Sequence, residues 1–291
     1  MFTSIVFSKD RPLQLDLCLK SINQNLFANN KIVVLYATSE GYDTSYAQLI
    51  NEHPEVEFFK QSYSIFEDIE IILSDSSEYV MFFTDDDIVY RKCELTEDDI
   101  NSAFSNDACC VSLRLGINTA MRDYGDGVLR RDNIPEQIMR ISNILAWNRT
   151  SIPVGGYWAY PLSVDGHIFQ KQQMLAFCQE LSHLSNYYEN IQIPRAEKAW
   201  QQTPNEFESR LQRFFFDISP IMASPQYSCV VNSPNNRVQD TVANRSGDVY
   251  NYTALDLKDE FDEGRRIILS DISIDDIVCP HQEINILEGL S

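Results

Sequence analysis

Four things are scarce or missing in this chain of 291 residues, and each removes a class of function. Basic residues are scarce: 23 Lys and Arg stand against 43 Asp and Glu, a formal net charge of -20. Duplex nucleic acid is bound by neutralising phosphates with Lys and Arg, so no nucleic acid is expected as a partner. Broad docking on anionic lipid is disfavoured on the same ground. Paired cysteines are missing: Cys18, Cys93, Cys109, Cys110, Cys178, Cys229 and Cys279 form no C-x-x-C and no regular framework. An odd count with two adjacent members fits reduced, mostly buried thiols. No apolar run approaches the roughly 18 residues that cross a bilayer, so no transmembrane segment is expected. The opening MFTSIVFSKDRP also lacks the basic and then long apolar regions of a signal peptide. The expected location is the cytoplasm, and the sequons at Asn148, Asn244 and Asn251 read as chance matches. Glycine, finally, is absent from Phe7-Ser-Lys-Asp-Arg11.

What remains, 44% hydrophobic and 23% charged, is ordinary globular material that can bury a core without disulfides. The first hundred residues alternate strand and helix signals: strands at 3–7, 31–36, 56–60 and 79–84, with helices between them. Pro12 suits the first turn of a helix, where its missing N–H costs nothing. Leu15, Cys18, Leu19, Ile22 and Leu26 then form one apolar face. Ser64-Ile-Phe-Glu67 has the form of a capping box. Strands apolar throughout, separated by helices, indicate an α/β fold with a mostly parallel sheet covered on both faces. Beyond Asp107 the pattern weakens to a strand at 108–115, an aromatic-rich loop at 155–169, helices at 170–189 and 196–216, and a short strand at 227–231. With no internal repeat and no linker, one domain over 1–291 is expected, with halves at 1–107 and 108–291.

Ligands of such sheets bind beyond the carboxyl ends of the strands, where two polar segments fall. Asp85-Asp86-Asp87 is either a solvated acidic turn or a cation site. Phe82-Phe83-Thr84 and Ile88-Val89-Tyr90 flank it with core, which favours the cation site. Carboxylates there suit Mg²⁺ or Mn²⁺, hard ions that complete their shells with phosphate oxygens. On an extended backbone Asp85 and Asp87 share a side and hold the metal, leaving Asp86 for a ribose hydroxyl. Ser8-Lys9-Asp10-Arg11 precedes a helix whose N-terminus, with Lys9 and Arg11, favours an anion; the plain alternative is a surface loop with a helix cap.

TSIVFSKDRPLQLDLCLKSI resembles the opening of family-2-type glycosyltransferases with the GT-A fold, and FFTDDDIVY resembles their D-x-D metal motif. The resemblance covers about the first 170 residues. It implies a GT-A (Rossmann-like) sheet with a C-terminal helical or irregular acceptor part, a nucleotide-sugar-binding half at 1–107 and an acceptor-binding and catalytic half at 108–291. It further implies an enzyme using Mn²⁺ or Mg²⁺ and a nucleotide-sugar donor, a UDP-sugar foremost, to extend a glycan or lipid-linked acceptor in surface polysaccharide or lipopolysaccharide synthesis. The usual Asp-Asp-Gly-Ser after the second strand is replaced by Tyr36-Ala-Thr-Ser-Glu40, so base recognition differs, with Tyr36 as a stacking candidate. Ser8, Lys9, Arg11, Tyr36 and Asp86 are the expected donor contacts.

In inverting members a carboxylate beyond the D-x-D is the general base; Asp165, after Gly155-Gly156, matches that order. Its plain alternative is an Asp-Gly turn. The resemblance also offers His281 as a third metal ligand. His167 is expected on the same side as Asp165, orienting substrate. Arg114 is read as a phosphate or acceptor contact, or else a surface salt bridge. Tyr157, Trp158 and Tyr160 are either a sugar platform or core. Retaining transfer without such a base, or glycan binding without turnover, are the competing functions. The glycine-free loop after the first strand disfavours nucleotidylyl transfer, and Val89 stands where a D-x-D-x-T phosphatase needs Thr.

Overall fold

A computed structural model of the chain describes residues 1–62, 64–123, 128–153, 156–160, 162–190, 204–215, 219–235, 250, 252–274 and 276–291. The elements follow the apolar pattern closely in the first half: β1 (Phe2–Lys9), α1 (Pro12–Asn25), β2 (Asn30–Ala37), α2 (Asp43–Glu52), β3 (Glu57–Lys60), α3 (Ile65–Ser74) and β4 (Tyr79–Thr84). Pro12 opens α1. Ser64 caps α3 by accepting the Glu67 N–H, although only that half of the box forms. A tight turn leads from β4 into β5 (Asp87–Val89), then to α4 (Glu97–Ser105) and β6 (Ala108–Ser112). The short strands β7 (Met121–Asp123) and β8 (Leu129–Arg131) pair with each other. Next come β9 (Met139–Ile141), β10 (Ile144–Asn148), β11 (His167–Gln170), α5 (Lys171–Asn190), α6 (Pro204–Phe215), β12 (Ile221–Pro225), β13 (Val230–Asn232) and α7 (Ala254–Asp262).

Nine strands form the central sheet in the order β3-β2-β1-β4-β11-β6-β12-β10-β9. It is mostly parallel; β11 and β10 run against the others. Alternation along each strand feeds two cores. On β4, Tyr79, Met81 and Phe83 join α1 on one face, while Val80 and Phe82 join α3, α5 and Phe207 of α6 on the other. Two-sided burial is what makes these strands apolar throughout. No helix among the described residues is long and apolar enough to cross a membrane.

Three sequence expectations are corrected. The strand expected at 108–115 stops at Ser112, and the loop expected at 155–169 ends in β11, wedged antiparallel between β4 and β6. The strand expected at 227–231 is β13, which pairs with β5 outside the main sheet. Of the helix expected at 196–216, residues 196–203 and 216 lie outside the described residues, and α6 forms the helix between them. Helices α4 and α7, unforeseen in the sequence, each carry a complete capping box, Thr96 with Asp99 and Thr253 with Asp256.

The loop after β6 leans on the approach to β13: Leu113 O accepts the N–H groups of Cys229 and Val230 at 2.8 and 3.2 Å. Gly116 makes this approach possible, since a Cβ there would sit 2.2 Å from Ser228 N. Because the obstacle is backbone, Gly116→Ala is expected to cost about 3 kcal/mol, the upper end for overpacking; urea unfolding measures it, and an unchanged midpoint would contradict the packing described.

Candidate functional site

The carboxyl ends of β1 and β4 lie side by side, Phe7 opposite Thr84. This register brings Ser8, Lys9 and Arg11 against Asp85 and Asp86. Asp10, at φ 56°, turns the chain from β1 into α1 and caps the Ser39 N–H at 2.7 Å. Arg11 Nη1 then bonds Asp85 Oδ1 at 3.0 Å and Asp86 Oδ2 at 2.9 Å, all three side chains nearly buried. Asp85 Oδ2 takes the Ser8 hydroxyl at 2.8 Å and the Lys9 N–H at 3.0 Å, while the Lys9 side chain stays exposed. Tyr46 completes this corner, its hydroxyl 2.6 Å from Ser8 Oγ and its ring stacked on Tyr36 at 5.2 Å.

The triplet is not extended, because Asp85 and Asp86 form the turn between β4 and β5. Asp87 Oδ2 closes it by accepting the Thr84 N–H at 2.8 Å. Asn232 of β13 donates its Nδ2 to Asp86 Oδ1 at 2.9 Å and to Asp87 Oδ1 at 3.2 Å. Thr84 Oγ1 donates to Asp86 Oδ1 at 2.7 Å. Asp85 therefore faces Arg11 while Asp87 faces Asn232, correcting the expectation that both point to one side. Every carboxylate oxygen of the triplet has a protein donor. Among the described residues no group of three or more His, Cys, Asp or Glu is arranged to hold a metal ion. As arranged, the side chains expected to bind Mn²⁺ or Mg²⁺ do not fit one.

Asp165 stands across the turn, its Oδ1 3.5 Å from Thr84 Oγ1. Gly166, at φ +73°, bends the chain into β11, donating its N–H to Phe82 O at 2.7 Å, so the Asp-Gly turn is also what delivers the carboxylate. Arg114 Nη1 bonds Asp165 Oδ2 at 2.6 Å, and Ser163 Oγ adds 2.8 Å. Arg114 is thus a buried ion pair, 2% exposed, rather than a surface one. His281 Nε2 lies 2.7 Å from the same Nη1 and 3.2 Å from Asp165 Oδ2, so the structure gives His281 to Asp165 and Arg114, not to Asp85 and Asp87. Tyr157 stacks on His281 at 5.5 Å. Trp158 is core, its ring 4.8 Å from Trp147. Gly155 lies outside the described residues. His167 is fully buried beside Phe169, within reach of the Arg114 and Asp165 charges, and burial drives its pKa down to about 3.

Burial of so many carboxylates sets their titration. Asp85 is pushed up to about 6 by burial, against the pull of Arg11. Burial and then the Asp165 charge hold Asp87 well above the carboxylate range. Asp165 goes the other way: burial raises it, but bonding to His281 and the Arg114 charge outweigh that. Glu208 of α6, absent from the sequence reading, bonds the Tyr160 hydroxyl and is lifted to about 7 by burial and Asp165. Asn232, Tyr46 and Ser163 were missed too; no motif marks them, and only pairing of β13 with β5 and packing of α2 beside α1 bring in the first two.

No family model and no curated protein matches the chain. Among solved structures, that of S. aureus TarS 1-349 aligns at 11% identity and TM-score 0.42, covering 78% of this chain and 58% of that one. The same fragment in complex with UDP gives 13% identity and TM-score 0.44, covering 78% and 57%. The mannosyltransferase PcManGT from Pyrobaculum calidifontis, in complex with GDP-Man and Mn²⁺, gives 15% identity and TM-score 0.28, covering 38% and 34%. The chain spans less than two thirds of each of these proteins.

Arg11→Met leaves Asp85 and Asp86 buried without their cation. The expected cost at pH 7.5 is about 3–5 kcal/mol. Because Asp85 is raised, the stability its neutral form contributes is complete below its unfolded value of 3.8 and lost as pH rises through about 6. The cost should therefore shrink at pH 5. Urea unfolding at both pH values measures it, and a cost equal at both would show that Arg11 does not serve these carboxylates.

Proposed function

We propose that this chain is an enzyme that transfers a sugar from a nucleotide-diphosphate donor, a UDP-sugar foremost, to a glycan or lipid-linked acceptor of the kind used in surface polysaccharide or lipopolysaccharide synthesis. One observation carries this reading. The Ser8–Arg11 segment, the aspartate turn and Asp165 converge at the carboxyl ends of β1 and β4, with Thr84 Oγ1 within 3.5 Å of Asp86, Asp87 and Asp165. That edge of a mostly parallel sheet is where such sheets take ligands. The donor half is 1–107, with Ser8, Lys9, Arg11, Tyr36 and Asp86 around the nucleotide. The acceptor half is 108–291, with Asp165, Arg114, His281 and Tyr157 facing the sugar.

Lys9, exposed at the end of β1, is placed to meet the diphosphate, and the start of α1 adds the partial positive charge of a helix terminus. Tyr36 presents the face of its ring not covered by Tyr46 to the base. Mn²⁺ or Mg²⁺ is the cation such a donor brings, but with every oxygen of the triplet already served, no step is assigned to it. Asp165 is the base in the inverting reading: it takes the proton of the acceptor hydroxyl as that oxygen attacks the anomeric carbon and the nucleoside diphosphate departs. To do so it must loosen from Arg114. That 2.6 Å pair is also the observation that favours the second reading, in which Asp165 only anchors Arg114 and transfer retains configuration.

A melting-temperature panel of UDP-, GDP-, CMP- and TDP-linked sugars, with and without Mn²⁺, tests the donor class. One family is expected to add about 2.7 kcal/mol of stability at a hundredfold excess over Kd, a shift of several degrees. No shift with any of them removes the transferase reading, and the arms with Mn²⁺ decide whether the metal takes part. For the base, Asp165→Asn should keep donor binding and lower kcat roughly 10²–10⁴-fold; unchanged turnover would leave the retaining reading.

A further inference from the structure

Helix α1 turns one stripe of side chains toward β5 and the turn before it. Arg11, its N-cap, bonds Asp85 and Asp86. Cys18 Sγ lies 3.6 Å from the Thr84 carbonyl oxygen. Ser21 Oγ accepts the Val89 N–H at 2.9 Å, and Asn25 Nδ2 donates to Val89 O at 2.6 Å. Gln14 stands three residues after Arg11 and four before Cys18, spacings at which helical side chains share a face. It is therefore bracketed by two residues that both touch the segment 84–86.

Gln14 is 4% exposed, and neither its Oε1 nor its Nε2 has a hydrogen-bond partner. The other polar members of the stripe all have one. Leaving a buried carboxamide wholly unpaired is unfavourable, and such groups in folded proteins call for a partner. Here the missing partner has a natural source, because Arg11 belongs to the site proposed for the donor and Cys18 touches the Thr84 carbonyl beside it.

We propose that Gln14 is a specificity residue whose carboxamide bonds a ribose hydroxyl of the donor nucleotide; this rests on the nucleotide-sugar reading above. A carboxamide offers both a donor and an acceptor, and so does a hydroxyl. Phosphate oxygens only accept and a metal ion only receives lone pairs, so either would leave half of the amide unpaired. Asp86, the residue expected at the ribose, already has its two oxygens bonded to Arg11, Thr84 and Asn232. A site built to bond a hydroxyl rejects the analogue that lacks it, because its own polar group is then left buried and alone.

The test titrates UDP and GDP, and the 2′-deoxy and 3′-deoxy counterparts of each, into the full-length wild type and into Gln14→Met. Unliganded melting temperatures are taken alongside. Methionine is close in length and volume, so replacing an unpaired amide with it should leave the melting temperature unchanged or raised. The wild type is expected to bind one deoxy nucleotide at least tenfold more weakly than its ribose parent. Gln14→Met should bind the two alike, at the weaker level. Equal discrimination by both proteins overturns the proposal, as does a wild type that binds ribose and deoxyribose forms equally. A much lower melting temperature for Gln14→Met also overturns it, since that would mark the amide as bonded within the fold. Failure of the wild type to bind either UDP or GDP removes the donor reading first, and this inference with it.

Discussion

The guanidinium of Arg11, closed between Asp85 and Asp86, is the interaction on which the rest of the site depends. Three consecutive carboxylates at the end of a buried strand repel one another and lose their hydration. One fixed cation, supported by Ser8, the Lys9 amide, Thr84 and Asn232, makes their arrangement tolerable. Arg11 can do this because Asp10 adopts φ 56° and Pro12 starts the helix at once, which leaves the arginine no path but back across the end of β4. The geometry of α1, and with it the position of Gln14, follows from the same constraint.

A second buried cation, Arg114, plays the corresponding part for Asp165. The two pairs differ in consequence. Asp85 remains raised to about 6 despite its arginine, whereas Asp165 is drawn below the usual carboxylate range. Burial raises both: at Asp85 it outweighs Arg11 and is joined by the charge of Asp86, whereas at Asp165 the bond to His281 and the Arg114 charge outweigh it. Asp87, held well above the carboxylate range, and Asp165, drawn below it, lie on either side of the Thr84 hydroxyl.

Much of the first hundred residues was legible in the sequence, since two-sided burial writes itself as unbroken apolar runs such as Tyr79–Thr84. The positions of Asp85 and Arg11 at one sheet edge were legible for the same reason. The direction of each aspartate was not, because it depends on the turn at 85–86 and on the Thr84 amide rather than on strand periodicity. Nor was Asn232, which reaches the turn through a strand pairing 145 residues away in sequence. His-Ile-Phe-Gln at 167–170 lay within an aromatic-rich stretch, so its role as a central antiparallel strand could not be told from a loop. Thr96-Glu-Asp-Asp99 carries a readable cap, but the nine-residue helix it opens has too few apolar positions to announce itself.

The segment carrying His281 joins the site through backbone bonds to Asn232, from Asn232 N to Pro280 O and from Gln282 N to Asn232 O, each 3.0 Å. Arg114 and His281 are 167 residues apart. On the ribosome, at roughly 5–20 residues per second, Arg114 is made on the order of 10–30 s before the imidazole it will bond. For most of that interval Asn232, which docks on β5 and bonds the segment at Pro280 and Gln282, has itself not yet been made. Arg114 and Asp165 therefore stay without that imidazole until the segment that follows Asn232 has been made.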